Sequence, residues 1–170
     1  MNRSRGRSLL LAAALVTGCA RSAAPPEPAA VPALAGAWRS PVQFTSGAFA
    51  SIKDLEFMYV FNQGGTMTES SNYDGAPPVP PAYGTWREVG PGEFEARYEF
   101  FLTRPPGGVG ELTGGGGWMP AGRGVLTERI SLAADGESFT SILTYEAFDR
   151  AGKAAAGGGQ ATGRGVRNGP

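Results

Sequence analysis

Glu93-Phe94-Glu95-Ala96-Arg97-Tyr98-Glu99-Phe100 alternates charged with apolar side chains along its whole length. Successive side chains on a β-strand point to opposite faces, so a period of two predicts a strand with one wet face and one buried face. No helical period competes with it. Upstream, Leu55-Glu56-Phe57-Met58-Tyr59-Val60-Phe61 is aromatic and β-branched. Asn62-Gln63-Gly64-Gly65 then supplies a turn before Thr66-Met67-Thr68-Glu69-Ser70, which together make a hairpin pattern. Downstream, Val125–Leu132 and Phe139–Phe148 read as two strands joined by Ala133-Ala134-Asp135-Gly136, whose Asp-Gly suits a tight turn. Ala37–Phe44, Ala82–Val89 and a last strand around Gln160–Arg167 bring the expected count to about eight. The 27 glycines and 14 prolines interrupt the chain too often for long helices. Short strands in series, each wet on one side, must close into a barrel or stack as a sandwich to protect their edges.

Two near-identical tetrapeptides, Gly36-Ala37-Trp38-Arg39 and Gly84-Thr85-Trp86-Arg87, favour the barrel. In each, a glycine is expected to open a strand, the tryptophan to share its face, and the arginine to take the other. A glycine beside a large indole suits a crowded barrel end, where backbone passes close to a ring that plugs the floor. The first copy resembles the Gly-X-Trp near the start of lipocalins and other calycins. Extended over Gly36 to Arg167, this resemblance implies an all-β fold: a single antiparallel up-and-down barrel of about eight strands. It also implies that Trp38 packs beneath an arginine from the last strand, with Arg164 and Arg167 as candidates for the cation–π contact. The order of elements, ending in Ala161-Thr162-Gly163-Arg164-Gly165, is similar to small bacterial lipocalin-like or allene-oxide-cyclase-like barrels. Both tetrapeptides are expected to start strands about half a barrel apart and to serve packing; a duplicated ligand motif is the alternative.

Residues 1–18 read as an export signal: three arginines without an acid, the apolar run Leu9–Val16, and small residues before Cys19. Val16-Thr17-Gly18-Cys19 resembles the lipobox of bacterial lipoproteins, in which cleavage precedes a cysteine that receives the lipid. The resemblance implies that Cys19 is the mature N-terminus, carrying enough acyl chain to anchor the protein to a membrane. It further implies a bacterial cell-envelope location. Ala20 rather than aspartate after the cysteine points to the outer membrane, facing the periplasm. Residues 19–35, rich in proline and alanine, read as a semi-extended tether, leaving residues 36–170 as the barrel domain.

Removing the leader takes three arginines away, leaving 12 basic residues against 15 acidic ones. With that balance and no basic run, no nucleic-acid partner is expected. The chain has no histidine and a single cysteine. A Ser-His-Asp triad, a histidine base and a histidine-ligated metal are therefore excluded, and the lipidated cysteine leaves none for thiol catalysis or a disulfide. Gly107-Gly108-Val109-Gly110 and Gly114–Gly117 lack the spacing of phosphate-binding loops, and no cofactor is called for. They read as strand connections, with Trp118-Met119-Pro120 as an apolar tip expected to pack back onto the barrel. Asp74–Pro81 reads as a stiff loop.

Phe57, Tyr59, Phe61, Phe94, Tyr98 and Phe100 are expected to line the barrel interior and hold a small apolar molecule or lipid. Glu128 shares a strand face with Leu126, Ile130 and Leu132. A carboxyl on an apolar face has its ionised form disfavoured, which suits a ligand-binding or acid–base role, or pairing with an arginine at the rim. Three functions follow in order of preference: a lipid-anchored binding module, a structural or envelope-assembly lipoprotein, and a cyclase- or isomerase-like enzyme using Glu128 without metal.

Overall fold

The computed structural model describes residues 33–73, 80–112 and 117–169. The export signal, Cys19, most of the tether and most of the Asp74–Pro81 loop lie outside the described residues. Alternation of apolar and polar side chains sets the strands: β1 (Gly36–Phe44), β2 (Glu56–Phe61), β3 (Thr66–Ser71), β4 (Ala82–Gly90) and β5 (Glu93–Arg104) come first. A four-residue helix, α1 (Val109–Leu112), precedes β6 (Met119–Leu132), β7 (Ser138–Asp149) and β8 (Ala154–Arg167). Each strand pairs antiparallel with the next, and β8 returns to pair with β1, so the sheet closes as an up-and-down barrel without a free edge. Asp135-Gly136 makes the β6–β7 turn: Gly136 has φ +71 and Glu137 N–H donates to Asp135 Oδ1 at 2.9 Å.

On β5, Phe94, Ala96 and Tyr98 are buried while Glu93 and Arg97 are exposed and Glu95 and Glu99 half-exposed, the period of two that the sequence predicts. The outward charges form ion pairs across neighbouring strands, Arg87 with Glu95 at 2.8 Å and Arg129 with Glu95 at 3.4 Å. Their solvent exposure limits their worth to at most about 1 kcal/mol each. Stability comes instead from the enclosed face, whose largest fully buried side chains include Trp38, Tyr59, Tyr98, Phe61 and Phe94.

Both tetrapeptides serve packing at one end of the barrel. Trp38 stands near the start of β1 against Phe139, the second residue of β7. Trp86, the middle residue of β4, donates its backbone N–H to Gly65 O of the β2–β3 turn at 2.8 Å and packs between Phe61, the last residue of β2, and Phe94, the second of β5. Because alternate strands run in opposite directions, all these positions fall at the same, closed end. Each indole also seals a connection: Trp38 Nε1–H donates to Leu34 O at 2.9 Å, and Trp86 Nε1–H to Asn62 O at 3.0 Å across the β2–β3 turn. The second copy differs from expectation in one detail, since β4 begins at Ala82 rather than at Gly84.

Of the two candidate arginines, Arg167 covers Trp38, with its guanidinium carbon 4.3 Å from the ring centroid. Its nitrogens donate to Ala33 O, Ala35 O and Gly136 O, tying the chain before β1 to the β6–β7 turn. Arg164 is exposed. This cover explains the first glycine: Gly36 has φ +136, and a Cβ there would lie 2.6 Å from Arg167 Nη1. Gly36→Ala is accordingly expected to displace the guanidinium and to cost about 1–3 kcal/mol. Urea denaturation measures this, and an unchanged midpoint would show the cover to be unimportant.

Two segments are longer than the sequence pattern indicates. β6 starts at Met119 and pairs back to Arg104, while Trp118 just before it is 42% exposed rather than packed down. β8 starts at Ala154, so the Ala-Gly stretch after Lys153 belongs to the sheet.

Candidate functional site

The middle of the barrel holds an unusual polar layer. β6 places Glu128 between Leu126 and Ile130 on the inward face, where it is fully buried. β5 brings Tyr98, whose hydroxyl donates to Glu128 Oε2 at 2.8 Å, and β2 brings Tyr59, whose hydroxyl approaches Oε1 at 3.4 Å. From β7, Ser141 lies near enough to favour the carboxylate without making a well-directed hydrogen bond. β3 adds a second acid: Glu69 is 5% exposed, and its Oε1 has no hydrogen-bond partner among the described residues.

Burial dominates the electrostatics of this layer. It pushes the Glu69 carboxyl up to about 8, with the neighbouring Glu128 charge adding to the effect. It pushes Glu128 up to about 7, held back by the Ser141, Tyr98 and Tyr59 hydroxyls. Burial, reinforced by Glu128, drives Tyr59 and Tyr98 well above the ordinary tyrosine range, so both act as neutral donors. No cation offsets the two acids from within: among the described residues every lysine and arginine is exposed, except Arg167, half-buried over Trp38 at the closed end.

Above this layer, at the end opposite the tryptophans, lies a cavity of about 170 Å³. Phe44, Phe49, Phe57, Phe100 and Tyr145 form its walls, and Leu126 and Glu69 lie at its inner end. Phe49 comes from the β1–β2 connection and meets Phe44 and Tyr145 at 5.3 Å between ring centroids. Phe100 and Tyr145 stack at 6.0 Å, with their planes 18° apart. Two residues further along β6 from Leu126, Glu128 belongs to the layer behind the cavity and does not line it.

The residues singled out from the sequence therefore divide into three groups. Phe57 and Phe100 line the cavity; Tyr59, Tyr98 and Glu128 make the polar layer; Phe61 and Phe94 pack against Trp86 at the closed end. Sequence reasoning missed Glu69, Phe44 and Phe49. Glu69 shares its strand face with Met67, and that was its only signal. Chemically, the arrangement offers an apolar recess with one carboxyl at its inner end, able to donate a hydrogen bond when protonated or to pair with a cation when ionised. No protein-family model, no curated protein and no solved structure matches the chain.

Proposed function

We propose that the chain is a lipid-anchored protein of the bacterial envelope, held at the outer membrane through Cys19, whose calycin-like barrel binds a small apolar ligand at its open end. The observation that carries this reading is the aromatic-walled cavity of about 170 Å³. Its volume is close to that of a dry cavity of about 150 Å³ known to admit benzene, and below the roughly 300 Å³ at which pockets for drug-sized ligands begin. The ligand is thus a ring-sized molecule or the end of a longer chain. Toluene titrated into the isotopically labelled protein is expected to shift resonances of Phe57, Phe100 and Leu126. In Leu126→Phe, which fills the recess, these shifts are expected to vanish while overpacking costs about 1–3 kcal/mol. No shift in the unaltered protein at saturating toluene would refute the reading.

One observation favours a metal-free acid–base enzyme as a second reading: a carboxyl poised near neutral pH reaches a cavity. On that reading the acid or base is Glu69, since Glu128 has no surface in the cavity.

A further inference from the structure

Glu69 combines three properties: it is buried, it reaches an apolar cavity, and one of its oxygens has no partner among the described residues. A buried acceptor left bare is costly, and the neighbouring Glu128 adds a second acid to the same interior. Among the described residues no arginine or lysine stands beside them; the basic side chains are on the outside or, for Arg167, at the far end. The walls next to Glu69 are aromatic, and ring faces attract a cation once water is excluded. An anionic ligand would meet two acids. A hydrocarbon would fill the recess but leave the Glu69 carboxyl without a donor or a charge partner. An ammonium group supplies the missing donor and the missing positive charge together.

We infer that the cavity is a site for a small primary amine with an aromatic or short aliphatic body, whose ammonium group donates to the Glu69 carboxylate while the body packs among Phe49, Phe57, Phe100 and Tyr145. The inference rests on the cavity being a ligand site, as proposed above, and adds the chemical class of the ligand. Entry of the amine as its cation expels the proton that Glu69 holds at neutral pH, so the protein releases that proton to solvent as the ion pair forms. The other titratable groups around Glu69 are Glu128 on β6, Tyr59 on β2 and Tyr98 on β5, in the layer behind the cavity, while Tyr145 on β7 and Tyr73 after β3 line the cavity itself; burial keeps Tyr59, Tyr98 and Tyr145 neutral.

The test is calorimetric titration of the full chain at pH 7 with benzylamine, benzyl alcohol and toluene, each in two buffers of different ionisation heat. Benzylamine is expected to bind at least about tenfold more tightly than either neutral probe, with release of about one proton. Glu69→Gln is expected to abolish that preference while keeping toluene binding. Equal or tighter binding of the neutral probes would overturn the amine assignment and leave the cavity as a ligand site. Failure of all three probes to bind would overturn both. Should Glu69→Gln not fold, proton release by the unaltered chain decides: benzylamine binding without it overturns the inference.

Discussion

Unfolding free energy is expected to fall by several kcal/mol between about pH 4.5 and pH 8, as the two buried acids come to oppose the folded state. Both carboxyls are raised in the folded barrel from the ordinary 4.5, Glu69 to about 8 and Glu128 to about 7. Below the ordinary value they are protonated in both states and cost nothing. As pH rises, the unfolded chain ionises first and is stabilised relative to the barrel, until each folded-state pKa is passed and the loss becomes constant. Each pKa unit corresponds to about 1.4 kcal/mol, so the coupled pair reaches several. Glu111, held down to about 2 chiefly by its hydrogen bonds from Arg104, has the opposite sign, but it lies at the surface and its effect falls mostly below this window. Urea denaturation at pH 5 and pH 8 measures the difference. Glu69→Gln and Glu128→Gln should each remove part of the slope. Stability that rises toward pH 8, or a slope that survives in the double variant, would contradict the buried pair.

Trp38→Ala is expected to cost about 3–5 kcal/mol, as for other buried large-to-small changes. That is a large part of the roughly 5–15 kcal/mol that holds a domain folded. The loss has three sources: the indole is fully buried against Phe139, it donates to Leu34 O, and it carries the Arg167 guanidinium on its face. Trp38→Phe separates them, because it keeps an aromatic ring for Phe139 and Arg167 while removing the donor. It is expected to cost less than the alanine change. A Trp38→Ala barrel that unfolds within about 0.5 kcal/mol of the parent, as surface changes do, would mean the closed end is not held by this stack.

The barrel was readable because its outer and inner faces differ chemically along most strands. Residues 93–100 display the period of two without ambiguity, and the resemblance around Gly36–Trp38 implied an arginine cover from the last strand, with Arg164 and Arg167 as candidates, of which the structure places Arg167 on the ring. Where side chains are small the pattern fades. Ala154–Gly159 carries almost no hydropathic contrast, yet it pairs with β7 through backbone hydrogen bonds, with Tyr145 opposite Gly159 and a register shift between Tyr145 and Ala147. The start of β6 at Met119 reads as a loop for a related reason, since proline and glycines obscure the alternation that pairing with β5 and β7 restores.

The site was half legible. Glu128 stood out because three apolar residues share its face, and the structure finds it buried with Tyr59 and Tyr98 as donors. Glu69 did not stand out, because Met67 is the only strongly apolar residue on its short strand. The filling of the interior could not be read at all. It depends on how rings pack across strands that are distant in sequence: Tyr59, Tyr98, Phe61 and Phe94 fill the lower barrel, while the cavity opens beside Phe49, which belongs to a connection and has no strand period to reveal it.

The most direct test of the cavity as a ligand site is native mass spectrometry of the chain from Ala20 to Pro170, purified without detergent. The account predicts a reproducible extra mass of small-molecule size, released on denaturation and absent from Leu126→Phe. A bare protein mass in repeated preparations, identical for the parent and the filled variant, would contradict it.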